Sequence, residues 1–234
     1  SGLPRGRVVC DACDARVPRT GTVLCLRCMQ GGVPLPAQGA RGCAQHGSES
    51  LLLAGPAFEP PLDQIVKAFK YSGSRGAHRW LAALLPEPPG RGTSAWREYV
   101  LVPAPLHPAR RAWRGFDQAH LLAETAGAAW GIPVVAALER RRDTPPQART
   151  GAAPRRENVR GAFALNAGAA PFVRSRPVLL VDDVATTGST LLEAAAALED
   201  ASPSWILALT FAHGGLPDAP EPASTTQVAR HPRV

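Results

Sequence analysis

Residues 177–191 read PVLLVDDVATTGSTL and restrict the fold more than any other stretch. The apolar run 178–181 is too short for a globular helix and suits a strand buried on both faces. Two adjacent carboxylates, Asp182 and Asp183, end it. A turn of small and hydroxyl-bearing residues leads into a helical segment over 190–199. Strand, turn and helix in this order form the repeating unit of a parallel sheet.

The flanking sequence repeats the unit. Strands are expected at 51–58, 99–106, 134–138, 177–181 and 205–211. Helices are expected at 61–69, with Leu62, Ile65, Val66 and Phe69 on one face, and at 77–85. A further helix over 117–130 presents Ala119, Leu122, Ala123, Ala126 and Trp130 and stops at Gly131 and Pro133. The fold class is therefore α/β, a parallel sheet with helices on both faces. Ligands of such sheets bind at the carboxyl ends of the strands, where Asp182 and Asp183 stand. No apolar run is long enough to cross a bilayer and none resembles a signal peptide, so a cytoplasmic protein without membrane insertion is expected.

The turn after the acids has the chemistry of a phosphate cradle. Ala185, Thr186, Thr187, Gly188, Ser189 and Thr190 offer backbone N–H groups at a helix start, hydroxyl donors and a close backbone approach at Gly188. A Walker loop is excluded, because neither Lys67 nor Lys70 follows a Gly-rich turn, and no Gly-x-Gly-x-x-Gly follows a strand. Carboxylates repel phosphate, so the two acids must serve another part of the ligand. Vicinal hydroxyls suit them, and a ribose 5′-phosphate carries both groups. The competing reading is a buried strand whose acids cap the next helix.

All five cysteines lie in the first 43 residues. Cys10-x2-Cys13 and Cys25-x2-Cys28 have the spacing of two knuckles around one tetrahedral Zn²⁺. Four protein ligands leave no open position, so the zinc is expected to be structural. Cys43 and His46 form half of a second such motif, for which the sequence offers no other half, so Cys43 reads first as a lone cysteine in a loop. Residues 29–47 read as a linker and those after Gly214 as a loose tail.

Formal charge is +7, and since Lys67 and Lys70 are the only lysines, the cations are almost all arginine. That fits nucleic acid as a partner, against an arginine-rich surface that is merely solvated. RRAWRGF places Arg110, Arg111 and Arg114 around Trp113 and Phe116. Phosphates pair with such arginines and bases stack on such rings, as single-stranded DNA requires. The alternative makes Trp113 a core residue. Residues 139–161 hold seven arginines against three acids, the composition of a cationic lid or a solvated loop.

VLLVDDVATTGST (178–190) resembles the phosphoribosyl pyrophosphate (PRPP) signature of type I phosphoribosyltransferases at essentially every position. By that resemblance Asp182 and Asp183 hold the ribose hydroxyls, 185–190 cradle the 5′-phosphate, and Mg²⁺ accompanies the pyrophosphate. The loop 103–111 is then the pyrophosphate loop and 140–160 the hood, with Arg149 or Arg156 as a candidate pyrophosphate ligand, between which the sequence does not choose. A narrower resemblance, over 10–211, is to the ComF-like (GntX-like) competence proteins, which join a four-cysteine zinc finger to a phosphoribosyltransferase domain. It rests on LVPAPLHPARRAWRGFDQAHLLA, RRENVRGAF and VKAFKYSG as well. Asp117 departs from the usual Asn, and the further cysteine pairs of many relatives are reduced here to Cys43.

The resemblance implies a finger and linker over 1–47, a phosphoribosyltransferase-like domain over 48–213 and a tail over 214–234. It implies a role in handling single-stranded DNA during transformation, beside a DNA translocase or helicase. Two other readings stay open: an active phosphoribosyltransferase of base salvage, in which Asp182 or Asp183 stabilises the oxocarbenium-like centre, and a module that senses PRPP without turnover.

Overall fold

In the computed structural model, which describes residues 8–33, 43–47, 50–71, 75–143 and 160–214, the elements alternate along the chain. They are α1 (Asp11–Asp14), β1 (Thr22–Cys25), β2 (Leu51–Ala54), α2 (Leu62–Tyr71), α3 (His78–Ala82), β3 (Val100–Pro103), α4 (Pro108–Arg114), α5 (Gln118–Trp130), β4 (Leu138–Arg140), β5 (Phe163–Leu165), α6 (Ala170–Val173), β6 (Pro177–Ala185), α7 (Ser189–Glu199) and β7 (Trp205–His213). Five strands form one sheet in the order β1-β2-β7-β6-β3. All its pairs are parallel except β1–β2. β4 and β5 make a separate antiparallel ribbon.

Alternation along the buried strands divides the core into two layers. Leu179 and Val181 of β6 face Leu122 and Ala126 of α5 and Phe69 of α2. Val178 and Leu180 face the other way, towards Leu191, Ala194 and Leu198 of α7. Such runs, apolar on both faces, are what a strand covered by helices on each side requires.

The structure departs from the sequence expectations at several points that bear on the site. β6 continues through both acids to Ala185, because β7 is long enough to pair Asp182 with Thr210 and Ala185 with His213. Residues 134–138 are not a strand: Val134 only bridges to Leu101, and β4 starts at Leu138. α4, which the sequence reading left unassigned, carries its own boundary signals, with His107 as N-cap, Pro108 in the first turn and left-handed Gly115 at the end. β1 was also unassigned. It adds antiparallel to β2, which brings the cysteine segment onto the edge of the main sheet. The expected tail after Gly214, the middle of the linker (34–42) and most of the arginine-rich loop, with Arg149 and Arg156, lie outside the described residues.

Candidate functional site

β6 carries the two acids to the carboxyl edge of the sheet, and they are held differently. The Asp183 carboxylate pairs with Lys70 Nζ of α2 at 2.7 Å and accepts the Val184 N–H at 2.6 Å. Asp182 accepts the Asp183 N–H at 2.8 Å. Desolvation, and then the charge of Asp183, push Asp182 up to about 7; the Asp183 N–H, Lys70 and Arg140 oppose that rise. Near neutral pH Asp182 is therefore only partly ionised, and Lys70 offsets the charge of Asp183. This relieves the conflict between adjacent carboxylates and an anion in the same pocket.

That pocket is lined by Asp182 and by 184–191. Gly188 takes a left-handed φ of 70° and caps α7 without any side-chain hydrogen bond to the first turn. The N–H groups of that turn are thus open to an anion. Thr187 and Ser189 share a hydrogen bond of 2.8 Å, and the Thr186 side is exposed. The pocket brings together Asp182, Ala185, Thr186, Thr187, Gly188, Ser189 and Thr190, whereas Asp183 does not line it. Lys70 is the addition, since nothing in the local sequence joins residue 70 to residue 183.

The loop after β3 is rigid. Ala104 N–H donates to Val181 at 2.8 Å, and Asp117 clamps the rest by accepting from Leu106 N–H at 2.7 Å and from His120 N–H at the start of α5. Asp117 thus acts as an acceptor twice. An Asn there offers only one acceptor oxygen. Arg110 pairs with Asp143 at 2.8 Å, tying α4 to the start of the arginine-rich loop. Trp113 is not core: it is 73% exposed, because α4 has no buried face.

The cysteines assemble in a way the sequence did not reveal. Cys25, Cys28, Cys43 and His46 offer ligand atoms that all lie within 4.8 Å of one another. Cys28 and Cys43 thiols are 3.8 Å apart, and His46 Nδ1 lies 3.5 Å from Cys25 and 3.6 Å from Cys43. A tetrahedron with Zn–S bonds of ~2.3 Å and a Zn–N bond near 2.05 Å has edges of about 3.8 Å and 3.5 Å. The donor set therefore fits zinc. Burial drives the Cys25 thiol up to about 11, while the Gln45 backbone N–H, first among several donors, draws Cys43 down to about 6; a bound metal would deprotonate both.

Cys10 and Cys13 stand outside this group, with their two thiols beside each other at α1. The partner of the Cys43-x2-His46 half is thus the Cys25-x2-Cys28 knuckle. The physical reason is that β1 ends at Cys25 on the sheet edge, and the Cys43–Gly47 bridge closes the second hairpin over it. The tetrahedral edges predict a discriminating result. Cys43→Ala or His46→Ala is expected to lower zinc affinity at least tenfold, whereas Cys10→Ala and Cys13→Ala leave it unchanged, by competition with a chromophoric chelator.

The knuckle also touches the turn at Gly188. A Cβ on Gly188 would sit 2.5 Å from the Leu26 carbonyl oxygen and 3.3 Å from Met29 Sδ. Leu26 lies between the metal-ligating cysteines, so the metal site forms one wall behind the turn.

No family model matches the chain. Among curated proteins it is 33% identical to competence protein F of Haemophilus influenzae over 62% of this chain, a match spanning 64% of that protein. It is 26% identical to competence protein ComFC of Streptococcus pneumoniae over 82% of each chain. The DNA utilization protein YhgH of Salmonella typhimurium is 31% identical over 80% of this chain and 82% of its own length. With an acid pair and a metal-binding knuckle on one sheet, and relatives aligned over most of its length, the chain belongs to the family of these competence and DNA utilization proteins.

Proposed function

We propose that this protein handles single-stranded DNA in a competence pathway, using a pocket for PRPP or a related ribose 5′-phosphate and a structural zinc. The observation that carries the pocket is the half-neutralised acid pair opening onto an uncapped helix start behind Gly188. Asp182 and Asp183 would take the vicinal hydroxyls, and 185–190 the 5′-phosphate. Mg²⁺, when present, would neutralise the pyrophosphate. The body 48–213 would carry the ligand site and the segment before it the metal.

The names of the relatives point to DNA, and the cationic helix α4 supplies the chemistry. Arg110, Arg111 and Arg114 lie on it, no acid interrupts 106–116, and Trp113 is exposed among them. No described helix is long and apolar enough to cross a membrane. We place the work in the cytoplasm, beside a DNA translocase.

A sensing pocket is favoured over a catalytic one by the Lys70–Asp183 pair. An acid already neutralised by lysine contributes little to stabilising an oxocarbenium-like centre.

The test is fluorescence polarisation of a labelled single strand across a salt series, with and without PRPP. Three phosphate contacts predict an affinity that falls about 20-fold between 50 and 200 mM salt. Competition by PRPP would place the strand at the pocket. An absence of binding at low salt would reject DNA handling and favour phosphoribosyl transfer, read next by pyrophosphate release.

A further inference from the structure

The side chains of Tyr71 and Trp113 are among the few large apolar groups left exposed in the described residues, at 61% and 73%. They come from elements far apart in sequence, the end of α2 and the last turn of α4, yet they meet, with ring centroids 6.3 Å apart and planes tilted by 59°. The meeting is built from beneath. Phe69, fully buried, packs on Phe116 with centroids 5.2 Å apart, which locks the end of α2 to the chain after α4. Arg114 is fixed as well. Its guanidinium lies 5.3 Å from the Tyr71 ring centroid, and it donates to the buried Gln118 at 2.8 Å. The neighbour of Tyr71 is Lys70, whose ammonium holds Asp183.

We propose that Tyr71 and Trp113, with Arg114, form a base-stacking platform for single-stranded nucleic acid. This rests on the DNA-handling reading above and adds Tyr71, to which the VKAFKYSG stretch by itself gives no role. The choice of occupant follows from charge and shape. An exposed aromatic pair with Arg114 against it, on a helix that also carries Arg110 (paired with Asp143) and Arg111 and with no acid in 106–116, suits a polyanion that also carries flat apolar faces. A duplex hides those faces in its own stack. An acidic peptide would satisfy the arginines but would leave the two rings without matching partners.

The experiment compares two labelled strands of equal length, oligodeoxythymidine and its abasic counterpart, across a salt series. Stacking is worth roughly tenfold per base, and phosphate contacts set the salt slope. Wild type is expected to bind the base-bearing strand at least tenfold more tightly than the abasic one. Tyr71→Ala combined with Trp113→Ala is expected to erase that ratio and keep the salt slope. Tyr71→Phe with Trp113→Phe should restore it. Arg110→Ala with Arg111→Ala should flatten the slope and keep the ratio. Equal binding of both strands by wild type, or a ratio that survives the double alanine variant, would overturn the platform and leave the DNA-handling reading standing. Failure of wild type to bind either strand at low salt would overturn both. Both rings are exposed, so the alanine variants should fold, and an unchanged thermal midpoint verifies this.

Discussion

Asp182→Asn is expected to lose PRPP binding by at least 100-fold, while the ligand-free protein becomes more stable than wild type at pH 8. Both effects come from the same carboxyl. Ionised, it would accept two charge-assisted hydrogen bonds from vicinal hydroxyls. Losing them costs about 3 kcal/mol, or roughly 100-fold in affinity. The gain in stability follows from its displaced titration. The carboxyl holds its proton up to about pH 7 in the folded chain, because it is desolvated and faces Asp183. Unfolded, it titrates near 3.9. Below about pH 4 it is protonated in both states and contributes nothing. Between 4 and 7 the folded state binds the proton that the unfolded state has released, so stability falls as pH rises. Above 7 the full penalty is present. Asn keeps an oxygen for the Asp183 N–H and carries no charge to desolvate, so it relieves up to about 4 kcal/mol at pH 8 and almost none at pH 4. Calorimetric titration with PRPP and thermal unfolding at both pH values check the two halves. Wild-type affinity in the variant would sink the pocket assignment.

Gly188→Val should be the most disruptive single change in the turn. Its φ of 70° is left-handed, which costs a β-branched residue at least 1–2 kcal/mol. The added Cβ also meets the Leu26 carbonyl oxygen at 2.5 Å, a backbone atom that cannot swing aside. Overlap of this kind costs about 2 kcal/mol more. A total near 4 kcal/mol corresponds to a midpoint lowered by roughly 10 °C in a chain of this size. The displaced atom belongs to the knuckle between Cys25 and Cys28, so zinc retention should fall together with stability. Gly131→Ala is the control: its φ is 68°, but no atom lies within 4 Å of the new Cβ. It should cost about 1 kcal/mol and keep the zinc. If Gly188→Val were no worse than Gly131→Ala, the metal knuckle would not be braced against the turn at Gly188.

The division between what sequence and tertiary structure each decided falls at the range of the interaction. Residues 177–199 were legible because strand, acid pair, turn and helix are contiguous, and their period and turn chemistry are local. The cysteine pairs were legible as knuckles for the same reason, since each Cys-x2-Cys closes on itself. Their partnership was not. Cys25 meets Cys43 and His46 only because β1 joins β2 at the sheet edge, a pairing that no spacing along the chain encodes. The exposure of Trp113 was open until α4 was seen to bury no face. Lys70 and Tyr71 stand in the family-like VKAFKYSG stretch, but nothing local gives either a role. The apolar period of α2 says only that they are off its buried stripe. Which carboxylate and which ring they reach depends on how α2 lies across the sheet, set by the burial of Phe69 against Phe116. Local chemistry determined the kind of site; long-range packing decided which residues complete it.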